Sequence, residues 1–443
     1  MRYYSTNRQA PMVGLREAVV KGLAPDRGLY MPEKIKKLPD TFLKSMPNLT
    51  PAEIACVVAD AFFGEDIEAE ALRTIVSETL NFDIPIVSVD HAIFSLELFH
   101  GPTLAFKDVG ARFMARMLAY FIRQQGLDDI NVLVATSGDT GSAVANGFLG
   151  VEGIHVYVLY PSGKVSAIQE SQFTTLGENI TAIEVDGAFD DCQALVKAAF
   201  MDAELTSHLR LTSANSINVA RFLPQAFYYF LAYAQLAILG RTDRLVLCVP
   251  SGNFGNLTAG LFAKKMGLPV NRFVAANNRN DVFLEYLNTG HYKPRPSVQT
   301  IANAMDVGDP SNFARILDLY SHDHQAIWTE IKGYRYSDET IRSAIRTCYE
   351  ETGYLLDPHG ACGYLALKEE LQDGETGLFL ETAHPAKFKD TVEEAVNADH
   401  PLDAQFSLPI PERLQAFMQR TKQSVAMENS FEAFKAYLMS PRK

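Results

Sequence analysis

Lys107 stands in the run HGPTLAFKDVG (100–110), directly after Phe106 and at the start of a long amphipathic pattern. Lysine is usually spent on a solvated surface; one shielded from water has a lowered pKa and forms a Schiff base with an aldehyde. Three other stretches gather small and polar residues where a helix begins. PSGNFGN (250–256) follows an apolar run and opens a helix pattern. Its small residues let successive N–H groups converge where the helix dipole adds positive potential, so it is either a phosphate cradle or an ordinary strand–helix turn. ATSGDTGSA (135–143) crowds Thr136, Ser137, Asp139 and Thr140 at a second helix start, giving a carboxylate site or an N-cap by Asp139 or Ser137. SANSINVARF (213–222) assembles Ser213, Asn215, Ser216, Asn218 and Arg221, which reads as a clamp for another anion or as a cap with a surface arginine. Capping explains each turn singly but not the lysine. A cofactor phosphate, a substrate carboxylate and a substrate phosphate explain all four, and pyridoxal phosphate brings both an aldehyde and a phosphate.

The whole chain sets the bounds. At 443 residues and 47% hydrophobic, it can bury a large core in two or three domains. A net charge of −13 argues against nucleic acid or an anionic membrane as partner, so an anionic ligand must be held by local features. The cysteines Cys56, Cys192, Cys248, Cys348 and Cys362 form no C-x-x-C pair and read as free thiols of a reducing compartment. The opening MRYYSTNRQAPMVG lacks the apolar core of a signal peptide, and no apolar run is long enough to span a bilayer; the expectation is a soluble, cytoplasmic protein. His322 and His324 in SHDHQ have no partner ligands nearby, so no metal site is expected.

The elements that position the chemistry follow from the patterning. Residues 1–80 read as helical, with a capping signature at Thr50, Pro51 and Glu53. Beyond them the rhythm is strand then helix: strands over 92–99, the start of 130–148, 154–161, 180–186, the start of 244–267, and 272–277; a long helix over 105–125; and a nearly all-apolar helix over 218–238 in which Pro224 falls in the first turns or makes a kink. This alternation predicts mostly parallel α/β sheets with ligands beyond the carboxyl ends of the strands, where the glycine turns lie. Residues 286–312, rich in Pro, Asn and Gly, read as a long functional loop.

In this order HGPTLAFKDVGARFM, ATSGDTGSA, SANSINVARFLPQ, PSGNFGN and TAHPAKF closely resemble the motifs of the threonine synthase family, and the early DRGLYMP (26–32) resembles its longer-chain branch. The motifs span residues 26 to 388. The resemblance implies an α/β fold of the pyridoxal-phosphate-dependent, tryptophan-synthase-β type (fold type II), with two α/β domains around a cofactor cleft. The corresponding division is an N-terminal helical segment over 1–80, a large cofactor-binding domain from 81–106 and 226–443, and a small domain over 107–225. It implies that Lys107 holds pyridoxal 5'-phosphate covalently, that Gly252, Asn253, Phe254, Gly255 and Asn256 receive its phosphate, and that Thr382 faces its pyridine nitrogen. Asp139 would lie near its phenolic oxygen, where relatives often carry asparagine, so the missing donor must come from elsewhere or from a protonated carboxyl. His384, two residues beyond Thr382, reads as structural.

The implied reaction converts O-phospho-L-homoserine and water into L-threonine and phosphate. Lys107 is the natural proton shuttle. Thr136, Ser137, Gly138 and Thr140 would grip the substrate carboxylate and its neighbouring groups, and Asn215, Ser216 and Arg221 the leaving phosphate. The small-molecule substrate is the expected partner, and the expected assembly is a monomer or homodimer. A serine/threonine dehydratase or a cysteine synthase would also need Lys107 and the glycine loop, but not a second phosphate clamp. A non-catalytic cofactor or amino-acid sensor is opposed by the intact lysine. A nicotinamide dehydrogenase is opposed by the missing glycine fingerprint.

Overall fold

The runs LVLCVP and TGLFLE form the strands Leu245–Pro250 and Thr376–Glu381, buried along their whole lengths. Burial of every residue, with mostly apolar side chains, belongs to parallel strands covered on both faces. The computed structural model describes residues 1–125, 129–398 and 405–440. Contacts divide the chain into two units, one made of Met1, 31–106 and 222–410, the other of 2–30, 107–221 and 411–443.

The first unit holds a six-stranded sheet in the order Ile331–Arg335, Arg272–Asn277, Leu245–Pro250, Thr376–Glu381, Ile93–Glu97, Ile86–Ser88. All neighbours pair in parallel except the antiparallel edge strand Ile86–Ser88. Cys248 stands opposite Phe379 on one side and Val274 on the other. This register brings the turns after residues 250 and 381 out at the same edge of the sheet. The apolar stretch 218–238 is not one helix: Val219–Phe222 is followed by a 3-10 turn Leu223–Gln225 carrying Pro224, then by the helix Ala226–Ile238. Proline lacks the N–H a continuous helix needs there. The capping box at the helix Pro51–Phe63 forms as expected, with the Glu53 N–H donating to Thr50 Oγ1 and the Thr50 N–H to Glu53 Oε2.

The second unit holds a five-stranded, wholly parallel sheet in the order Val425–Glu428, Ile180–Asp186, Ile154–Pro161, Ile130–Ala135, Arg210–Ser213. Its edge strand comes from the C-terminal region, and Phe434 and Leu438 of the following helix Phe431–Met439 pack in one core with Cys192, Leu195 and Val196. Residues 2–30 belong to this unit as well. They open with the short antiparallel pair Arg2–Ser5 and Val13–Gly14, and the Val19 carbonyl of the next helix, Leu15–Lys21, accepts from Asn218 Nδ2 at 2.8 Å. The expectation is one helical segment over 1–80 and a large domain that includes 226–443. The short strands and both terminal attachments differ from it, because strands of two to four residues carry too few positions to display a period.

Candidate active site

Lys107 is the first residue of the helix Lys107–Gln125 and is half-buried. Its carbonyl accepts from Arg221 Nη1 at 3.1 Å, and Arg221 itself is only 3% exposed. The approach is close at the backbone too: a Cβ at Gly110 would meet the Arg221 carbonyl oxygen at 2.5 Å. The bland expectation of a surface arginine is therefore overturned. Phe106, immediately before the lysine, is held at both backbone groups, its N–H donating to the Thr382 carbonyl at 2.8 Å and its carbonyl accepting from the Tyr228 hydroxyl.

The adjacent strands Ile130–Ala135 and Arg210–Ser213 run parallel, so they deliver the 136–140 and 214–218 turns side by side. Asn215 Nδ2 reaches the Ala135 carbonyl at 3.3 Å and links the two. Within the first turn Thr136 Oγ1 accepts from the N–H groups of Gly138 and Gly141 at 2.9 and 2.8 Å. The helix Asp139–Phe148 has Gly138 at its N-cap and no side-chain cap, so neither Asp139 nor Ser137 fills the capping role. Gly138 has φ 143°, a region that favours glycine. Asp139, 4% exposed, accepts from Gln169 Nε2 at 2.9 Å. Gln169 was invisible in the sequence, being 30 positions away on another helix. Ser137, Thr140, Asn215 and Ser216 are half-buried at this edge. Asn218 is spent inside the fold on the Val19 and Ser213 carbonyls.

In the first unit, the strand Leu245–Pro250 ends in a turn whose Phe254 takes the left-handed conformation, φ 61°, as N-cap of the helix Gly255–Lys265. The backbone N–H groups of Gly252, Phe254, Gly255 and Asn256 find no acceptor among the described residues. Such a set of donors at a helix N-terminus is suited to a phosphate dianion. The asparagine side chains brace the turn: Asn253 Oδ1 accepts from the Ser311 N–H at 2.6 Å, and Asn256 Nδ2 donates to the Pro250 carbonyl at 2.9 Å. Thr382 is buried at the end of the neighbouring strand. His384 Nδ1 accepts from the Ala386 N–H at 3.1 Å, capping the turn Pro385–Phe388. Burial, then the nearby His100, pushes the His384 imidazole down to about 4. Three buried residues escaped the sequence reading here: Asp357, His359 and Glu381. The only signal was D-P-H at 357–359, an N-cap with proline at the first helical position.

An α/β framework with a half-buried lysine opening a helix in one unit, and N–H donors suited to a phosphate opening a helix in the other, is of the kind found in pyridoxal-phosphate-dependent enzymes. Residues 82–382 match the family described as pyridoxal-phosphate dependent enzyme, residues 2–80 match threonine synthase N terminus, and residues 360–438 match threonine synthase, C-terminal. A threonine synthase of Haemophilus influenzae is 44% identical over 99% of this chain and 100% of its own length. The crystal structure of threonine synthase from Escherichia coli is similar with a TM-score of 0.90 and 41% identity, covering 99% of each chain. That of PLP-bound threonine synthase from Brucella melitensis gives 0.91 and 35%, covering 99% of this chain and 98% of the other. The chain belongs to the threonine synthase family, pyridoxal-phosphate enzymes of fold type II.

Proposed function

We propose that this chain converts O-phospho-L-homoserine and water into L-threonine and inorganic phosphate, the last step of threonine biosynthesis. The observation that carries the choice of substrate is Arg221, a buried guanidinium fastened to the carbonyl of Lys107. An arginine suits a phosphate because its planar fork donates two parallel hydrogen bonds. Asn215 and Ser216 complete the set that holds the leaving phosphate. Thr136, Ser137, Gly138 and Thr140 hold the substrate carboxylate; the Thr136 oxygen already accepts two N–H groups, which leaves its own proton to donate. Pyridoxal phosphate, when bound, supplies an electron sink that stabilises negative charge beside the substrate's α-carbon. Lys107 would hold its aldehyde, the N–H groups of 252–256 its phosphate, and Thr382 would offer its pyridine nitrogen a neutral hydroxyl. Asp139, oriented by Gln169, would serve the phenolic oxygen.

The Lys107 amine would take the proton from Cα and serve as shuttle for the protons that follow. Cβ also gives up a proton, the C–O bond at Cγ breaks and phosphate leaves with that oxygen; Cγ gains one proton, the hydroxyl of water ends on Cβ, one proton returns to Cα and one goes to the phosphate. Among the described residues no helix is long and apolar enough to cross a membrane, and the five cysteines are free thiols, which supports a cytoplasmic setting. The test is product analysis with O-phospho-L-homoserine: phosphate and L-threonine should appear in equal amounts. Release of a 2-oxo acid in place of threonine would overturn the reading.

A further inference from the structure

Asp357 caps the helix Pro358–Glu370 and is fully buried, as is His359. Asp357 Oδ1 accepts from the His359 N–H and lies 2.6 Å from His359 Nδ1. The other face of the ring is also engaged, because Nε2 accepts from the Ala304 N–H at 3.2 Å. An Nε2 that accepts leaves the ring proton on Nδ1, donated to Asp357, so the tautomer is determined by the two contacts. Asp357 Oδ2 accepts from the Ala383 N–H at 3.3 Å.

The two backbone groups held in this way lie behind the two parts of the cofactor site in this unit. Ala383 directly follows Thr382. The Ala304 carbonyl backs the phosphate turn so closely that a Cβ on Gly252 would meet it at 2.7 Å, and the Met305 Cα at 2.8 Å. Glu381 closes the cluster: its Oε1 accepts from the Asp357 N–H at 2.6 Å, and a Cβ on Gly360 would strike its Oε2. Burial, with Asp357 close by, pushes the Glu381 carboxyl far above its ordinary range.

We propose that Asp357 and His359 are positioning residues for the cofactor, one pair of side chains setting both the strand end that carries Thr382 and the segment that backs the Gly252 turn. Neither touches the reacting atoms. The proposal rests on the reading of 252–256 and Thr382 as cofactor contacts.

The test compares holoenzymes of wild type, His359→Leu, His359→Gln, Asp357→Asn and Gly252→Ala, following cofactor loss on dialysis and the position of the visible band. Leucine removes the acceptor for the Ala304 N–H, whereas glutamine can supply an oxygen near Nε2. Cofactor loss should quicken roughly 10- to 100-fold in His359→Leu, the range seen when an outer partner that orients a ligand is removed. It should return to within a few-fold of wild type in His359→Gln. Asp357→Asn, which nearly preserves volume, should loosen the cofactor and shift the visible band, and it decides the matter should His359→Leu not fold. A purely structural pair would lower the unfolding midpoint without changing cofactor loss at temperatures below the transition, and that result overturns the proposal. Unchanged retention in Gly252→Ala would instead remove the phosphate-cradle reading, and the proposal with it.

Discussion

Arg221 Nη1 donates to the backbone carbonyl of Lys107 at 3.1 Å, although 114 positions separate them in the chain. The contact joins the candidate clamp for a substrate phosphate to the start of the helix that carries the candidate cofactor lysine. If Arg221 holds the substrate phosphate as proposed, Arg221→Ala removes the cation facing a shielded dianion, a loss on the order of 3–5 kcal/mol when such a partner is buried. kcat/KM for O-phospho-L-homoserine should fall a few hundred- to a few thousand-fold, while slow deamination of serine should fall far less. Arg221→Lys, which keeps the charge without the fork, should lie between. Equal losses on both substrates would show that Arg221 serves the fold and not the phosphate.

Lys107→Ala should leave a folded protein with no visible absorbance from covalently held cofactor and no turnover. Borohydride reduction of the wild type followed by peptide mass analysis should place the label on Lys107. A label on any other lysine refutes the assignment.

Gln169→Leu should destabilise the protein by about 1–3 kcal/mol, because it leaves the Asp139 carboxylate, buried at 4% exposure, without this donor. Denaturant unfolding of both proteins measures the difference. Gln169→Glu places a second acid against the first, and its deficit should grow as pH rises from 5 to 8. A flat pH response would mean that the two groups do not face each other.

His384 supplies a pH prediction with a definite sign. Burial lowers its imidazole to about 4 in the folded protein, below the ordinary value near 6.5. Between these values the unfolded chain binds the extra proton, so this group's contribution is complete above pH 6.5 and is lost as pH falls toward 4. The size is on the order of 2 kcal/mol once partial solvent contact is allowed for. Asp306, raised to about 6 mainly by burial, acts with the opposite sign over the same range. The informative quantity is therefore the difference between wild type and His384→Asn, in which the amide oxygen can still accept from the Ala386 N–H. The variant should lose less stability between pH 6.5 and 4, and parallel curves would rule out the assigned role.

The sequence by itself determined much of this protein. Strands 154–161, 180–186 and 272–277 lie where the apolar-rich runs placed them, because short stretches rich in β-branched and aromatic residues and bounded by turn signals read as strands. The glycine turns and Lys107 were legible too, since tight turns and helix starts accept few residue types. Tertiary structure alone decided which groups meet. The Thr136 hydroxyl ties its own turn, the asparagines of the 250–256 turn spend their side chains on bracing it, and Gln169 comes to Asp139 from another helix. Asp357 and His359 reach Ala383 and Ala304 across gaps of 26 and 55 positions. Such contacts depend on which strands lie side by side and in what register, and no local period in the chain carries that information. The same holds for the edge strand Val425–Glu428, too short to announce itself and placed only by the face that Ile180–Asp186 leaves open to it.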